Sequence, residues 1–541
     1  MTSWDPGQRD ERPKDRSAVA GSKRRRMAGG RRSGSKGCLW PLPSRWPFAI
    51  SARLVFVSLW LLAIFMMGGT SRPDTQSLLI LRPLSVLIFG AGAITLQRAQ
   101  FRAHRPVFIF AAMVLLLPAI HLVPLPPAWW SALPGRGLIV DIDAAVGLTG
   151  TWRPISMSPP WTWNALWSLF VPLSVVVHVA QLETRDIRRL GVTMLGIGLA
   201  SAVLAIAQVS GDPRGPLYFY RKMHFGVADG FFANRNHQAV FLAALFPIAM
   251  ACLRYHPLRI VFDQRRKKRL DLTRPAAVVL IFVLVPLVLT TGSRSGMVAM
   301  VISVVGSLLV LSPFGGRHAP EPGLSGLGPS VGEGAGAGTT GAAAAAKLHR
   351  RPAVLWTVLV VCAGLAMTGI ALSNDRALSI DRLIEVDPQE DMRTKILPTV
   401  FSMIRLYAPG GSGVGTFEPV YQIHEPDELL MPTYANHIHN DWLEVVMTAG
   451  VPGGALLAWA VLAWFGGAAI CLVPGQRRVR PGNDMARAAL IVILLTGLAS
   501  ISDYPLRTPA FSALFALMLI WLTEGLRKTL PDHARRDRLA E

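Results

Sequence analysis

The stretch "YANHIHNDWLEVVMTAGVPGG", residues 434–454, decides how this chain is read. Two histidines, an asparagine, an aspartate and a glutamate crowd the start of an apolar run that continues to residue 472. A run of that length exceeds the ~20 apolar residues needed to cross a ~30 Å hydrocarbon core. The run therefore reads as a membrane helix, tilted or broken, with ionisable groups at its mouth.

The rest of the sequence agrees. Of 541 residues, 51% are apolar and 16% charged, and the mean hydropathy is +0.39. Apolar windows fall near 48–67, 78–96, 106–122, 165–182, 189–209, 236–254, 276–291, 296–312, 353–372, 442–472, 487–501 and 509–525. The expected fold class is an all-α polytopic membrane protein of about 12 transmembrane helices. Its expected divisions are a basic disordered cytoplasmic tail (1–47), helices 1–8 (48–312), a low-complexity cytoplasmic linker (313–352), helices 9–12 (353–525) and a cytoplasmic tail (526–541). A large periplasmic loop, 373–441, precedes helix 10 and is long enough for short helices of its own. The first apolar run is a full span behind a long basic stretch, so no cleavable signal peptide is expected.

The formal charge of +22 does not require nucleic acid as a partner. Basic residues gather in alternate loops: Arg98, Arg102 and Arg105; Arg185, Arg188 and Arg189; "RRKKR" (265–269); and Arg477, Arg478 and Arg480. The positive-inside rule then puts both termini in the cytoplasm. The tail "SKRRRMAGGRRSGSKG" fits orientation and contact with anionic lipid better than RNA binding. The four cysteines, Cys38, Cys252, Cys362 and Cys471, form no CxxC pair, and none lies in an outer loop, which argues against a disulfide framework.

Three polar stretches share the outer face on this topology: "FFANRNHQAVFLAALFP" (231–247), "TTGSRSG" (290–296) and the opening stretch. An arginine at a membrane edge often snorkels as an anchor, and each one taken singly fits that reading. Three aligned polar turns instead point to a site.

"HNDWLEVVMTAGVPG" resembles the His-Asn, nine residues, Gly-x-x-Gly pattern of the O-antigen ligase family, here His439, Asn440, Gly450 and Gly453. "FFANRNHQAVFL", "LTTGSRSG" and "MRTKILPTVFSMIRLYAPGGSGVGTFEPVY" are similar, in order, to other recurrent segments of that superfamily. It includes O-antigen ligases, Wzy-type polymerases and O-linked oligosaccharyltransferases. The resemblance covers about 210–470. It implies glycan transfer on the periplasmic face from an undecaprenyl-diphosphate donor, in a fold like the type C glycosyltransferases. The acceptor would be a glycan, lipid A core or protein.

By the same resemblance the essential arginines fall on Arg235 and Arg294, the essential histidine on His439, and the arginine opening the outer-loop helix on Arg393. Arginine can hold a departing diphosphate without a metal, and histidine can take the acceptor hydroxyl's proton. No cofactor or metal is implied, and inversion follows by analogy. Asn234, Asn236, Asn440, Asp441, Tyr220 and Arg221 are candidate substrate contacts.

Blander readings stand beside these. His437, His439 and Asp441 lie at strand or turn spacing without a fourth metal ligand, and Asp441 suits a helix cap or a histidine orienter. Glu444 either lines the same cavity or faces other helices. "VDID" (140–143) reads as a solvated turn rather than a cation site. The aromatic pieces "PLPPAWW", "WTWNALW" and "GPLYFYRKMHF" suit an interfacial belt or sugar stacking. "GGSGVGTF" (410–417) is a turn without the βαβ context of a nucleotide site. A transporter or flippase of lipid-linked glycan shares the span count, but the halves show no repeat and the charges sit at the surface, Arg82 excepted. An envelope scaffold would leave Arg235, Arg294 and His439 dispensable.

Overall fold

The computed structural model describes residues 50–212, 214–220, 226–255, 259–263, 268–271, 273–311, 393–430, 435–472 and 483–529. The tail 1–47, the linker 313–352, the span 353–372 and Arg221 lie outside the described residues.

Helices α1 (Ala52–Met67), α2 (Gln76–Thr95), α3 (Arg98–Ala103) and α4 (Arg105–His121) open the chain. A segment between spans follows, with β1 (Pro124–Leu125), α5 (Pro127–Ser131), α6 (Gly137–Ala145) and β2 (Arg153–Pro154); β1 and β2 pair antiparallel. Helices α7 (Pro159–Ser168) and α8 (Phe170–Val179) share one span and lead to α9 (Thr184–Ser210) and α10 (Arg235–Tyr255). The hairpin β3 (Arg259–Asp263) and β4 (Lys268–Asp271) joins α10 to α11 (Thr273–Thr290) and α12 (Arg294–Val310). After the linker come α13 (Leu397–Tyr407), α14 (Phe417–His424), α15 (Asp441–Leu472), α16 (Asn483–Ser502) and α17 (Pro509–Thr529).

Among the described residues, seven spans are long and apolar enough to cross a membrane. The apolar helices Ala52–Met67, Arg105–His121, Pro275–Thr290 and Arg294–Val310 are shorter. Every predicted window except 353–372 falls on one of these. The fourth begins earlier than expected, at Pro159, so "WTWNALW" forms its first turns.

Helix α10 is apolar all round and buried without a break from His237 to Ala251, as a helix enclosed by others must be. With α16 and α17 it forms the centre of the bundle, against α9, α11 and α12 on one side and α1 and α8 on the other. Leu79, Ile94 and Leu309 are 72%, 87% and 78% exposed on outer helices, as a lipid-facing surface demands.

The expected break in the long helix is at Gly450, where φ is 61° and ψ −150°. That region is essentially reserved for glycine, and Pro452 removes another helical donor. The carbonyls of Met447 and Thr448 instead accept from the Ser412 and Gly413 N–H groups, at 3.3 and 2.9 Å, and the Val451 N–H donates to Pro409 at 2.8 Å. The glycine-rich stretch 410–417 is therefore the partner that satisfies a broken membrane helix.

Candidate functional site

Four helices begin at one end of the bundle, each started by its own cap. Asn234 Oδ1 accepts from the Asn236 N–H (2.8 Å) at α10, and Ser293 Oγ from the Gly296 N–H (3.0 Å) at α12. Asn440 Oδ1 accepts from the Leu443 N–H (3.0 Å) at α15, and Thr508 Oγ1 from the Phe511 N–H (3.3 Å) at α17. Such caps satisfy donors that a helix start leaves open. Gly296 lets α12 lie directly on α10, since a Cβ there would fall 2.2 Å from that of Ala239. Arg235 and Arg294, first residues of α10 and α12, consequently stand at adjoining helix starts. Cations there oppose the helix dipoles, so their placement costs stability and concentrates positive potential where an anion can bind.

Asp503 is the hub behind this end. Its carboxylate is 2% exposed. It accepts from the Asn234 and Asn236 amides at 3.0 and 2.8 Å and from the Tyr504 N–H at 3.0 Å. His237 Nε2 lies 3.6 Å from it and His439 Nδ1 3.4 Å. Burial alone would raise the Asp503 carboxyl; His237 and His439 outweigh that and hold it well below the usual carboxylate range. His439 is drawn below its ordinary value by burial, against the opposite pull of Asp503. Its side chain keeps 23% exposure and its φ is +58°, a conformation unusual for a residue with a Cβ. Arg393, in the helical turn before α13, donates to the Ser502 carbonyl at 3.1 Å and bears electrostatically on His439 and Tyr504.

A second buried network fixes the neighbouring histidine. His437 Nδ1 faces both Glu444 oxygens at 3.1 and 3.2 Å, while its Nε2 meets Ser71 Oγ at 3.1 Å. Arg507 lies between Glu444 (3.4 Å) and Asp441 (3.0 Å), and Ser500 donates to Asp441 at 3.0 Å. Burial alone would lower the Arg507 guanidinium; the two carboxylates keep it above its ordinary value. Tyr504 joins the networks, its ring 5.3, 4.4 and 4.8 Å from those of His237, His437 and His439. Burial, with Asp503 alongside, raises its phenol.

The predicted residues thus meet at one polar end, in two kinds of position. Arg235 and Arg294 open α10 and α12, Arg393 lies in the turn before α13, and His439 lies in the turn before α15. Asn234, Asn236, Asn440 and Asp441 brace this end from behind with bonds inside the fold. The cap of α15 is Asn440 rather than Asp441, because Asp441 turns inward to Arg507. Glu444, not Asp441, orients a histidine. His437, His439 and Asp441, weighed together as a metal set, answer to three separate partners. Tyr220 accepts from the Gly69 N–H at 2.9 Å, which ties the 211–234 connection to the α1–α2 turn, and burial pushes its phenol up to about 12.

"VDID" lies on α6 rather than in a solvated turn: Asp143 is buried against Arg153, whose Nε donates to it at 2.7 Å, and Asp141 is exposed. The turn "SDYPLRTP" (502–509) was missed as a site element. It is a fourth polar turn on the face that held the other three, and the charge rule places it there by the same argument.

Residues 276–458 match the family model described as O-antigen ligase. No curated protein matches the chain. The match bears out the resemblance to the O-antigen ligase and Wzy superfamily and ties the chain to membrane glycan processing. It runs from α11 into α15, so it includes Arg294, Arg393 and His439 and stops short of Asp503.

Proposed function

We propose that this O-antigen ligase-type chain is a periplasmic-face glycosyltransferase that takes a glycan from an undecaprenyl-diphosphate donor and joins it to an acceptor hydroxyl. The observation that carries this is the meeting of His439, backed by ionised Asp503, with Arg235, Arg294 and Arg393 at one end of the bundle. With a proton on Nδ1 toward Asp503, the Nε2 lone pair of His439 accepts the acceptor hydroxyl's proton. The acceptor oxygen bonds to the anomeric carbon as the carbon–oxygen bond to the diphosphate breaks, and one such displacement inverts that carbon. Undecaprenyl diphosphate leaves with its added charge stabilised by Arg235 and Arg294, so no metal is needed for that task. A site at the polar end of membrane helices suits an amphipathic donor, whose lipid stays in the bilayer while diphosphate and sugars stand above it.

The test is surface polysaccharide in a deletion strain carrying wild type, Arg294→Ala or His439→Ala at matched membrane levels. Rescue by wild type alone, with lipid-linked glycan accumulating in both variants, is expected. Full rescue by both variants would remove the catalytic assignment and favour transport or scaffolding. The length of the accumulated glycan separates ligation from polymerisation.

A further inference from the structure

Arg82 is the one ionisable side chain in α2, whose sequence is QSLLILRPLSVLIFGAGAIT. It lies six residues past the helix start, about 9 Å along the axis at ~1.5 Å per residue. Its Nε is shielded from solvent and has no hydrogen-bond partner among the described residues. A charge held in a membrane span without a partner is costly and calls for an anion.

Phe89, two turns below Arg82 on the same helix face, marks what that face meets. Its ring lies edge-on to Phe170 at 5.3 Å, Phe170 stacks on Trp167 at 5.7 Å, and Trp167 stacks on Trp163 at 5.8 Å. Both α2 and the α7–α8 span start at the site end. Trp163 and Trp167 lie on α7 and Phe170 opens α8, so the ladder runs from the start of that span to Phe89 on the face of α2 that carries Arg82. Trp163 and Trp167 are 45% and 42% exposed, so this aromatic ladder opens to the bilayer. No acidic residue occurs in α2, α7 or α8 to answer the guanidinium.

We propose that Arg82 holds the phosphodiester of one anionic glycerophospholipid, with an acyl chain along the Trp163–Trp167–Phe170–Phe89 ladder. The charge match decides the class: one guanidinium without a partner among the described residues balances one phosphodiester, whereas a diphosphate calls for the two arginines that open α10 and α12. The site is independent of the transfer reaction.

The experiment is native mass spectrometry of delipidated full-length protein titrated with phosphatidylglycerol, and separately with undecaprenyl diphosphate. Wild type should retain one phosphatidylglycerol, and Arg82→Ala should bind it about tenfold or more weakly, as loss of a charge-assisted hydrogen bond implies. Arg82→Leu guards against misfolding. It should unfold at or above the wild-type temperature without lipid, and added phosphatidylglycerol should raise the unfolding temperature of wild type only. Equal phosphatidylglycerol binding by wild type and Arg82→Ala overturns the proposal. So does Arg82-dependent binding of undecaprenyl diphosphate in preference to phosphatidylglycerol.

Discussion

His439 combines strain, burial and a buried carboxylate, which is how a histidine is held in one orientation and kept neutral. Protonated His439 cannot accept a proton, so transfer should rise with pH through its pKa. Burial places that limb below the ordinary ~6.5 of histidine. His439→Ala should cost about 10²–10⁴ in kcat, the usual worth of a general base. Asp503→Asn removes the charge that raises the histidine's pKa, so the limb should move to lower pH while kcat falls by less. A pH–rate profile of purified protein with lipid-linked donor measures both, and an unmoved limb at an unchanged rate would reduce Asp503 to a structural role. Legibility differed residue by residue for a physical reason. Arg294 and His439 lie at the start of long apolar runs and stand out against them in the sequence. Asp503 acts through contacts with the start of α10 and with His439, both far from it in sequence, and no local pattern marks it.

At the level of elements, the paired glycines of the long helix belong to the fold before they belong to chemistry. Gly450 occupies a region that costs other residues about 1–3 kcal/mol, and an added Cβ would fall 2.0 Å from the Pro409 carbonyl oxygen. Gly450→Ala should lower stability by at least that much and loosen the 410–417 connection, read as a fall in unfolding temperature in detergent. Normal stability would mean the break is not enforced there. The turn 502–508 offers a second element-scale test. Arg507→Met removes the cation between the buried Asp441 and Glu444, leaving Asp441 with Ser500 and Glu444 with His437, and should destabilise by about 3–5 kcal/mol. Adding Asp441→Asn and Glu444→Gln should recover part of that loss, which denaturant unfolding of the single and triple variants can check. The break was legible as an overlong apolar run, but the strand of backbone that repairs it was not. That pairing joins residues about forty apart, and the glycines reveal only that something comes close.

Across the whole molecule, hydropathy placed eleven of the twelve expected windows on apolar helices, because a bilayer drives backbone groups into helices; the window 353–372 lies outside the described residues, and charge alternation adds an expected sidedness. What these patterns could not supply was depth and contact, such as the unbroken burial of α10 from His237 to Ala251. The same alternation makes a prediction about sidedness that can be checked directly. The α1–α2 turn, the start of α10, 435–440 and 503–508 share one end through the contacts of Gly69, Ser71, His437 and Asp503, and the start of α12 joins them where Gly296 meets Ala239. The β3–β4 connection joins the other ends of α10 and α11, and its neighbourhood carries "RRKKR". In a cysteine-free background, a cysteine at Glu425 should therefore react with a membrane-impermeant maleimide in intact cells. One at Asp263 should react only after the membrane is opened. Both positions lie away from the site, so function should survive in each variant and report correct folding. The reverse labelling pattern would put Arg235, Arg294 and His439 on the cytoplasmic face, where a donor already carried across the membrane could not reach them.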